Sequence, residues 1–350
     1  MRCIYRVVLV LALSGFCSGQ DVAVKLDQVA LGFQKDHAFI GSVLVAEGGR
    51  VVLEKGYGMA NVELDVANGP DTKFRLGSIT KQFTATAILQ LEEQGKLSVN
   101  DAACKFIAEC PARLKVITIH QLLSHTSGIP SYTDDPAFMK PKFMRIPLTP
   151  VEILMLSKDR PMEFQPGKKW KYDNSGYIFL GVIIEKVSGE KHAAYLQKHI
   201  FGPLEMRGSG YDDTGEILKN RAAGYRSTGD GFHNADYLDM SLPYAAGSLY
   251  STVRDLYRWD RALYTDEVLS KDSREKMWTP VKNNYGYGWG IKQVRGHKQI
   301  AHGGGINGFA TFIGRYPDDD AVVIVLANNE RTNAGGLANG LASVLFGEAP

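Results

Sequence analysis

Residues 74–83 read FRLGSITKQF and lie where a strand-like segment passes into a long helical pattern. Apolar residues recur every three or four positions as far as Gly95 and predict a helix over residues 78–95. Near the start of this helix, Ser78 and Lys81 are three residues apart and are therefore surface neighbours. The Lys81 amine can reach the Ser78 hydroxyl, at a helix N-terminus that favours developing negative charge. A lysine accepts a serine proton only when it is partly neutral, which requires burial or neighbouring cations to lower its pKa.

The Ser-x-x-Lys spacing also occurs at Ser188–Lys191 and Ser273–Lys276, so the spacing alone identifies no site. The Ser78 copy differs in its position, because it follows the strand-like residues 73–76 and opens the apolar-faced helix. Two further segments along the chain carry residues that could act together with it.

The first of these segments is Tyr172-Asp173-Asn174, the only Tyr-x-Asn in the sequence, in a loop before a helix that starts near Tyr177. A tyrosine phenol there can relay a proton, and an amide can hold a substrate carbonyl. The second segment is His302-Gly303-Gly304-Gly305, at the end of a predicted strand. Its glycines let the backbone approach a substrate and leave N–H groups free to donate. Viewed alone, each segment also fits an ordinary loop or turn.

The composition is that of a globular protein. The chain has 350 residues, of which 44% are hydrophobic, 22% charged and 10% aromatic. That length allows two or three structural units with a large buried core. These values exclude a disordered chain, a small disulfide-dense protein and a multispan membrane protein. The formal net charge is +2 without a long basic run, which argues against nucleic acid as a partner.

The first twenty residues, MRCIYRVVLVLALSGFCSGQ, have the order of a secretory signal peptide. Arg2 and Arg6 give a positive start, a mostly apolar run follows, and small residues end the segment. We expect cleavage after Gly19, so that residues 1–19 are the signal peptide and the mature protein is secreted or periplasmic. The apolar run is shorter than the roughly 20 residues that span a membrane, so no stable membrane span is expected after cleavage. An N-terminal anchor helix is the alternative.

Two cysteines, Cys104 and Cys110, remain after that cleavage. In an oxidising compartment they can form a small disulfide, and two free thiols are the alternative. Closing so short a loop is worth about 2 kcal/mol at most. No further His or Cys pair lies nearby at the spacing of a zinc finger, so no metal site is expected.

Strand patterns lie at both ends of the sequence. Residues 39–53 predict a hairpin, and β-rich runs return between residues 287 and 327 before a final helix at about 332–346. Residues from about 100 to 240 carry mainly helix and loop signals. The pattern therefore predicts one α/β domain made from both chain ends, with a helical domain inserted. A cleft at such a junction is where a substrate site is expected.

The three polar segments occur in the order shared by the serine β-lactamases and penicillin-binding proteins, and the chain resembles that family. The nearer likeness is to the class C branch, with its relatives the D-stereospecific peptidases and β-lactamase-like esterases (peptidase S12-like). The supporting phrases are FRLGSITKQF (74–83), LLSHTSGIP (122–130), FQPG (164–167), YDNSGY (172–177) and AGSLYST (246–252). The likeness covers about residues 25–346.

The resemblance implies the β-lactamase/transpeptidase-like fold, which is α/β plus all-α. Its antiparallel sheet is flanked by helices and built from both chain ends. On this basis residues 20–77 and 240–350 form the α/β domain, and residues 78–239 form the mainly helical domain.

By position, the resemblance implies that Ser78 is the acylated nucleophile and that Lys81 is its base. Tyr172 would be the proton relay in acylation and deacylation. The backbone N–H groups of Ser78 and Gly305 would form the oxyanion hole. His125 is the other candidate base, for a Ser-His-Asp triad, but the resemblance implies a structural turn at that position.

The same resemblance implies that Asn174 binds the substrate's amide and that Tyr132 lines the pocket. The third motif departs from the family. β-Lactamases of this class carry Lys-Thr-Gly where this chain has His302-Gly303-Gly304, three further candidate substrate-binding residues. A histidine is only partly charged near pH 7 and holds a carboxylate less firmly than a lysine, and Gly303 lacks the threonine hydroxyl. This departure argues against an efficient β-lactamase and favours D-peptidases and esterases.

We therefore predict a secreted serine hydrolase that acts through an acyl-enzyme on an amide or ester. β-Lactams, D-amino-acid peptides and esters all remain open as substrates. The alternative is a non-catalytic penicillin-binding or sensing module on the same fold, which would stay acylated. No metal or organic cofactor is implied, the expected partner is a small-molecule or peptide substrate, and the oligomeric state stays open.

Overall fold

The computed structural model describes residues 16–107, 110, 112–138, 140–156 and 159–348. Most of the predicted signal peptide lies outside these residues. The first helix, α1 (Phe16–His37), begins before the expected cleavage position after Gly19 and runs across it. Among the described helices, none combines the length and apolar character that crossing a membrane requires.

The remaining elements of the described chain follow in order. The helices are α2 (Thr80–Glu93), α3 (Ile119–Leu123), α4 (Pro150–Met155), α5 (Asn174–Ser188), α6 (His192–Leu196), α7 (Tyr244–Gly247), α8 (Val253–Ala262), α9 (Lys271–Trp278) and α10 (Ala334–Leu345). The strands are β1 (Gly41–Glu47), β2 (Arg50–Tyr57), β3 (Met59–Asn61), β4 (Val66–Ala67), β5 (Phe74–Arg75), β6 (Gly210–Tyr211), β7 (Tyr225–Thr228), β8 (Gly231–Asn234), β9 (Leu249–Ser251), β10 (Gly290–Val294), β11 (His297–Ile306), β12 (Phe309–Tyr316) and β13 (Ala321–Ala327).

A six-stranded antiparallel sheet forms the centre of the α/β part. Its strand order is β10-β11-β12-β13-β1-β2, so strands from the two ends of the chain meet where β1 pairs with β13. All seven residues of β13 are buried. Such a continuous apolar strand requires cover on both faces of the sheet. The antiparallel sheet flanked by helices confirms the predicted fold class.

Alternate residues of β13 enter two different cores, because successive side chains point to opposite faces of a strand. Val323 and Val325 pack in the core closed by α1 and α10. Ile324 and Leu326 pack in the larger core that continues into the helical part of the molecule. The segment around Ser78 packs against this sheet.

Helix α5 lies at the centre of the helical part and is packed against α2, α3, α4, α6 and α7. Its first turn is capped by Asp173, whose Oδ2 accepts from the Gly176 N–H at 3.0 Å. It ends at Gly189, which adopts the left-handed conformation that terminates helices. The domain boundaries drawn from the sequence stay a prediction.

Two local features differ from the sequence-based expectations. Residues 303–305 continue β11 and pair with residues 310–312 of β12, instead of ending the strand. The hairpin of β7 and β8 lies in the region that carried mainly helix and loop signals. Glycine weakens a strand pattern in sequence, but here it allows another backbone to approach, as the site shows.

A disulfide bond joins Cys104 to Cys110, with Cα atoms 5.5 Å apart. Both cysteines are partly buried and pack against the larger core. The bond closes a short loop at the edge of the helical part.

Candidate active site

Ser78 lies in a single 3-10 turn, Gly77–Ile79, that leads directly into α2. The Lys81 amine, on the first turn of α2, lies 3.1 Å from Ser78 Oγ. It also donates to Asn174 Oδ1 at 2.8 Å and to the Ala246 carbonyl at 2.9 Å. When the amine is neutral, its two N–H groups can keep those two fixed acceptors. Its lone pair then faces the Ser78 hydroxyl.

Burial shifts the charge balance of this lysine. Lys81 is fully buried, which lowers its pKa to about 7, while the nearby Asp173 opposes that change. A buried ammonium is disfavoured because it loses its hydration. A pKa near the working pH suits a general base, since a large fraction of the amine is then neutral.

The Tyr172 ring lies over the same amine, with Lys81 Nζ 4.8 Å from the ring centroid. The Tyr172 hydroxyl is buried and makes no hydrogen bond of ordinary geometry in the described structure. Burial raises the pKa of Tyr172 above its ordinary value, although the neighbouring Ser78 hydroxyl partly offsets this. Tyr172 is therefore a neutral phenol in this state. Its hydroxyl can donate a proton to a leaving group, whereas Lys81 is the better acceptor of the Ser78 proton.

Asn174 joins Lys81 to the opposite wall of the cleft. Its Nδ2 donates to Thr133 Oγ1 at 3.0 Å, and its backbone N–H donates to Ser131 Oγ at 3.1 Å. These contacts turn its Oδ1 toward Lys81. Both ends of the amide are thus occupied by protein, so a substrate amide would have to share them.

His125 supports the loop that carries Tyr172. Its Nδ1 accepts from the Asp173 backbone N–H at 3.1 Å, and its ring packs against that of Tyr172 with centroids 4.3 Å apart. Burial and the charge of Lys81 keep the pKa of His125 well below its usual value. A neutral histidine that accepts a loop N–H orients the loop, in keeping with the structural turn expected there.

The Ser78 turn rests against the glycines of β11. Strand β10 pairs with β11 only as far as Ala301, so the edge of β11 beyond that point faces the turn. A methyl group at Gly304 would overlap the Leu76 carbonyl oxygen, and one at Gly77 would lie 2.9 Å from the Gly305 nitrogen. Gly77 also has a φ of 54°, which favours glycine. These contacts bring Ser78 and Gly305, the two expected oxyanion donors, to one cavity.

The other two glycines are less confined. A methyl group at Gly303 would meet nothing closer than 3.6 Å, and one at Gly305 nothing within 4 Å. The missing threonine of the third motif is therefore not a consequence of lack of space at Gly303.

His302 differs from its expected role. Its ring is buried, with Nε2 2.9 Å from Tyr285 Oη and Nδ1 2.6 Å from the Gly303 carbonyl oxygen. Since a carbonyl only accepts, Nδ1 carries the proton and Nε2 accepts from Tyr285. Burial and the charge of Lys81 lower the pKa of His302 to about 4. The ring is therefore neutral and turned to Tyr285, which differs from the partly charged histidine that was expected, and its contact with substrate stays a prediction.

A cavity of about 600 Å³, partly open to solvent, lies in front of Ser78. Tyr132 lines it as expected, with its hydroxyl donating to the Leu242 carbonyl at 2.9 Å. No sequence signal pointed to the other wall residues, which are Thr133, Phe138, Met144, Leu238, Leu242, Pro243, Ile306 and Asn307. Of the described residues that line this cavity, none carries a formal charge at neutral pH. Among the described residues, no cluster of His, Cys, Asp and Glu could hold a metal ion.

Comparison with known proteins agrees with this geometry. The Beta-lactamase family model matches residues 26–345. The Bacillus subtilis (strain 168) protein named "Putative penicillin-binding protein PbpX" is 32% identical over 315 residues, which cover 90% of this chain and 77% of that protein. The octameric penicillin-binding protein homologue from Pyrococcus abyssi superposes with a TM-score of 0.83 at 33% identity, covering 93% of this chain and 78% of that one.

A D-stereospecific amidohydrolase from Streptomyces sp. superposes with a TM-score of 0.78 at 25% identity, covering 93% of this chain and 99% of that one. The matches extend over both the sheet and the helical part, and therefore over all three polar segments. The chain belongs to the Beta-lactamase family, a family of serine hydrolases with the β-lactamase/transpeptidase-like fold.

Proposed function

We propose that this protein hydrolyses esters or amides through an acyl-enzyme formed on Ser78. The observation that carries the proposal is the buried Lys81 amine, 3.1 Å from Ser78 Oγ with its pKa lowered to about 7. A solvated structural lysine would keep its ordinary pKa, whereas this buried amine can be neutral and take the proton of the adjacent hydroxyl.

In the first step, neutral Lys81 takes the Ser78 proton while Oγ bonds to the substrate carbonyl carbon. The carbonyl π electrons move to oxygen, and the backbone N–H groups of Ser78 and Gly305 stabilise that oxyanion. Removing one such donor typically costs about 10²–10³ in kcat.

In the second step, the oxyanion collapses and the bond to the leaving group breaks. Tyr172 protonates the departing oxygen or nitrogen and takes the proton that Lys81 received from Ser78. Water then attacks the acyl carbon and gives one proton to the same pair of residues. The second tetrahedral intermediate collapses, the bond from the acyl carbon to Oγ breaks, and the pair returns that proton to Ser78 Oγ as the acid product leaves. Each group ends the cycle in its starting protonation state.

We infer that the acyl group next to the scissile bond is uncharged and largely apolar. The support is the cleft wall, where Phe138, Met144 and Leu238 contribute apolar surface and none of the described lining residues is ionised. β-Lactamases of the class C branch have a lysine at the position of His302, where its charge can bind the carboxylate of a β-lactam. His302 is neutral and does not replace that charge. We therefore rank esters and neutral amides above β-lactams, although relatives carry penicillin-binding names.

The test uses p-nitrophenyl butyrate turnover together with intact-mass spectrometry after mixing with benzylpenicillin. We expect ester turnover and slow or absent penicilloyl adduct formation. Ser78→Ala should abolish both turnover and any adduct. The control is Ser188→Ala, because Ser188 also lies in a Ser-x-x-Lys sequence and is partly buried, and this variant should change neither turnover nor adduct formation. Full turnover by Ser78→Ala would refute the assignment. A stable penicilloyl adduct without ester turnover would instead indicate a penicillin-binding module.

We also propose that the chain is exported and cleaved after Gly19. Support comes from the order of residues in the N-terminal segment and from the Cys104–Cys110 bond, which suits an oxidising compartment. N-terminal sequencing of protein from culture medium and periplasmic extract should begin at Gln20. An intact Met1 in the cell interior would contradict the proposal.

A further inference from the structure

A second cavity of about 800 Å³ adjoins the catalytic cleft. Asn307 lines both, because it follows the part of β11 that faces Ser78. The second cavity differs in character, since Arg75 and Arg221 form part of its wall. None of the described residues that line the catalytic cleft supplies such a charge.

Both arginines bind the same carboxylate. Arg75 Nε lies 2.6 Å from Asp212 Oδ2, and Arg221 NH1 lies 2.6 Å from Asp212 Oδ1. The Asp212 side chain is completely buried, whereas those of Arg75 and Arg221 are 14% and 32% exposed. One carboxylate offsets one of the two guanidinium charges. A unit of positive charge therefore remains, with guanidinium N–H groups at the cavity surface.

The other charge on this wall is Asp236, which lies 3.7 Å from the Arg226 guanidinium. Arg226 is in turn 4.0 Å from Glu330. Arg226 is shared by two carboxylates, so this side of the cavity carries one net negative charge, while the side at Arg75 and Arg221 is positive. A ligand with a single negative charge matches this arrangement better than a dianion, which Asp236 would repel.

We propose that this cavity binds a carboxylate at the far end of the acyl group, so that substrates have an apolar segment followed by one negative charge. The proposal rests on acyl transfer at Ser78, as described above. From Gly305 to Asn307 the extended chain spans at most about 7 Å. An acyl chain of about eight carbons along this edge would therefore reach past Asn307. Planar guanidinium groups hold carboxylates firmly because several N–H donors can act together.

The test compares two p-nitrophenyl esters of equal chain length, the octanoate and the monoester of octanedioate. We expect Arg221→Gln to raise the KM of the anionic ester about tenfold, with kcat unchanged and with no effect on the octanoate. The backbone of Arg221 is held independently of its side chain, since the neighbouring Ala222 N–H donates to the Lys73 carbonyl at 3.0 Å. The octanoate also reports directly on whether the variant is folded.

Arg207→Gln is the matched control, because Arg207 is 85% exposed and does not line the cavity. Asp236→Asn should lower the KM of the anionic ester. The inference is overturned if Arg221→Gln changes the KM of both esters alike or of neither. Arg75 and Arg221 would then serve only as structural ion-pair partners of Asp212.

If neither ester is hydrolysed, the proposed function fails, and calorimetry decides the cavity separately. The methyl monoester of octanedioate, which carries one negative charge, should then bind the unmodified protein about tenfold more tightly than it binds Arg221→Gln. Equal binding to the two proteins would refute the carboxylate site.

Discussion

Asp173 and Lys81 are both buried at the base of the active site, and each is held near the point at which it changes charge. Burial raises the pKa of Asp173 to about 7 and lowers that of Lys81 to about 7. The carboxylate favours the lysine ammonium, so the two groups titrate as a pair. Asp173 also caps α5 and positions the Tyr172 loop, which makes it a positioning residue with an electrostatic effect on the base.

The first prediction concerns the pH dependence of catalysis. Since the proposed base is neutral Lys81, kcat/KM for a neutral ester should rise as the pH increases through about 7 and then level off. Asp173→Asn removes the negative charge that favours the ammonium, so the rising limb should move to lower pH. Rate profiles from pH 5 to 9 measure both effects. A limb that Asp173→Asn leaves unmoved would show that this carboxylate does not influence the base.

The second prediction separates the base from the proton relay. Lys81→Met should lower kcat by about 10³-fold or more, because it removes the amine that lies 3.1 Å from Ser78 Oγ and leaves only the neutral phenol of Tyr172 beside it. Tyr172→Phe should cost about 10²-fold with an amide and less with a p-nitrophenyl ester, whose leaving group departs without a proton. Single-turnover kinetics with the two substrate types provide the comparison. Equal losses from Tyr172→Phe on both substrates would place the tyrosine in proton abstraction instead.

The third prediction concerns the glycines of β11. Gly304→Ala should reduce activity by about 10²-fold or more, because the new methyl group would displace the Leu76 carbonyl and the Ser78 turn with it. Gly303→Ala has room and should keep activity within about threefold. Ester turnover and thermal unfolding of both variants test this contrast. Similar losses in the two would mean that strand flexibility, and not the close approach at Gly304, is what matters.

The fourth prediction concerns acid stability. His125, His192 and His302 are all buried with lowered pKa values, about 4 for the latter two. Between about pH 6.5 and 4 the unfolded chain binds protons that these folded histidines exclude, so stability falls as the pH falls. Each such proton contributes about 1.4 kcal/mol per pH unit. The raised pKa of Asp173 acts in the opposite direction across this range and offsets up to about one proton.

His192→Gln tests this prediction. His192 lies in α6, outside the candidate active site, and its ring forms a hydrogen bond with the Thr84 hydroxyl. The variant should show a shallower loss of unfolding free energy between pH 6.5 and 4, with unchanged activity at pH 7. Chemical denaturation at several pH values supplies the slopes. Identical slopes in the variant and the unmodified protein would contradict a neutral buried His192.

The sequence by itself determined the chemistry of the site. Ser78 and Lys81 are three residues apart where a 3-10 turn passes into α2, so their contact follows from local geometry, and Tyr172 was identifiable from the motif around it. The strands at both chain ends also followed from local patterns of apolar residues.

Only the tertiary structure decided the environment of those groups. The state of His302 depends on Tyr285 and Lys81, and the neutral cleft wall combines residues from distant segments such as Met144 and Ile306. The arginine cavity joins Arg75 to Arg221 through Asp212, across more than a hundred residues of chain. Charge state and pocket shape depend on which side chains exclude water from one another, and separation along the chain does not encode that.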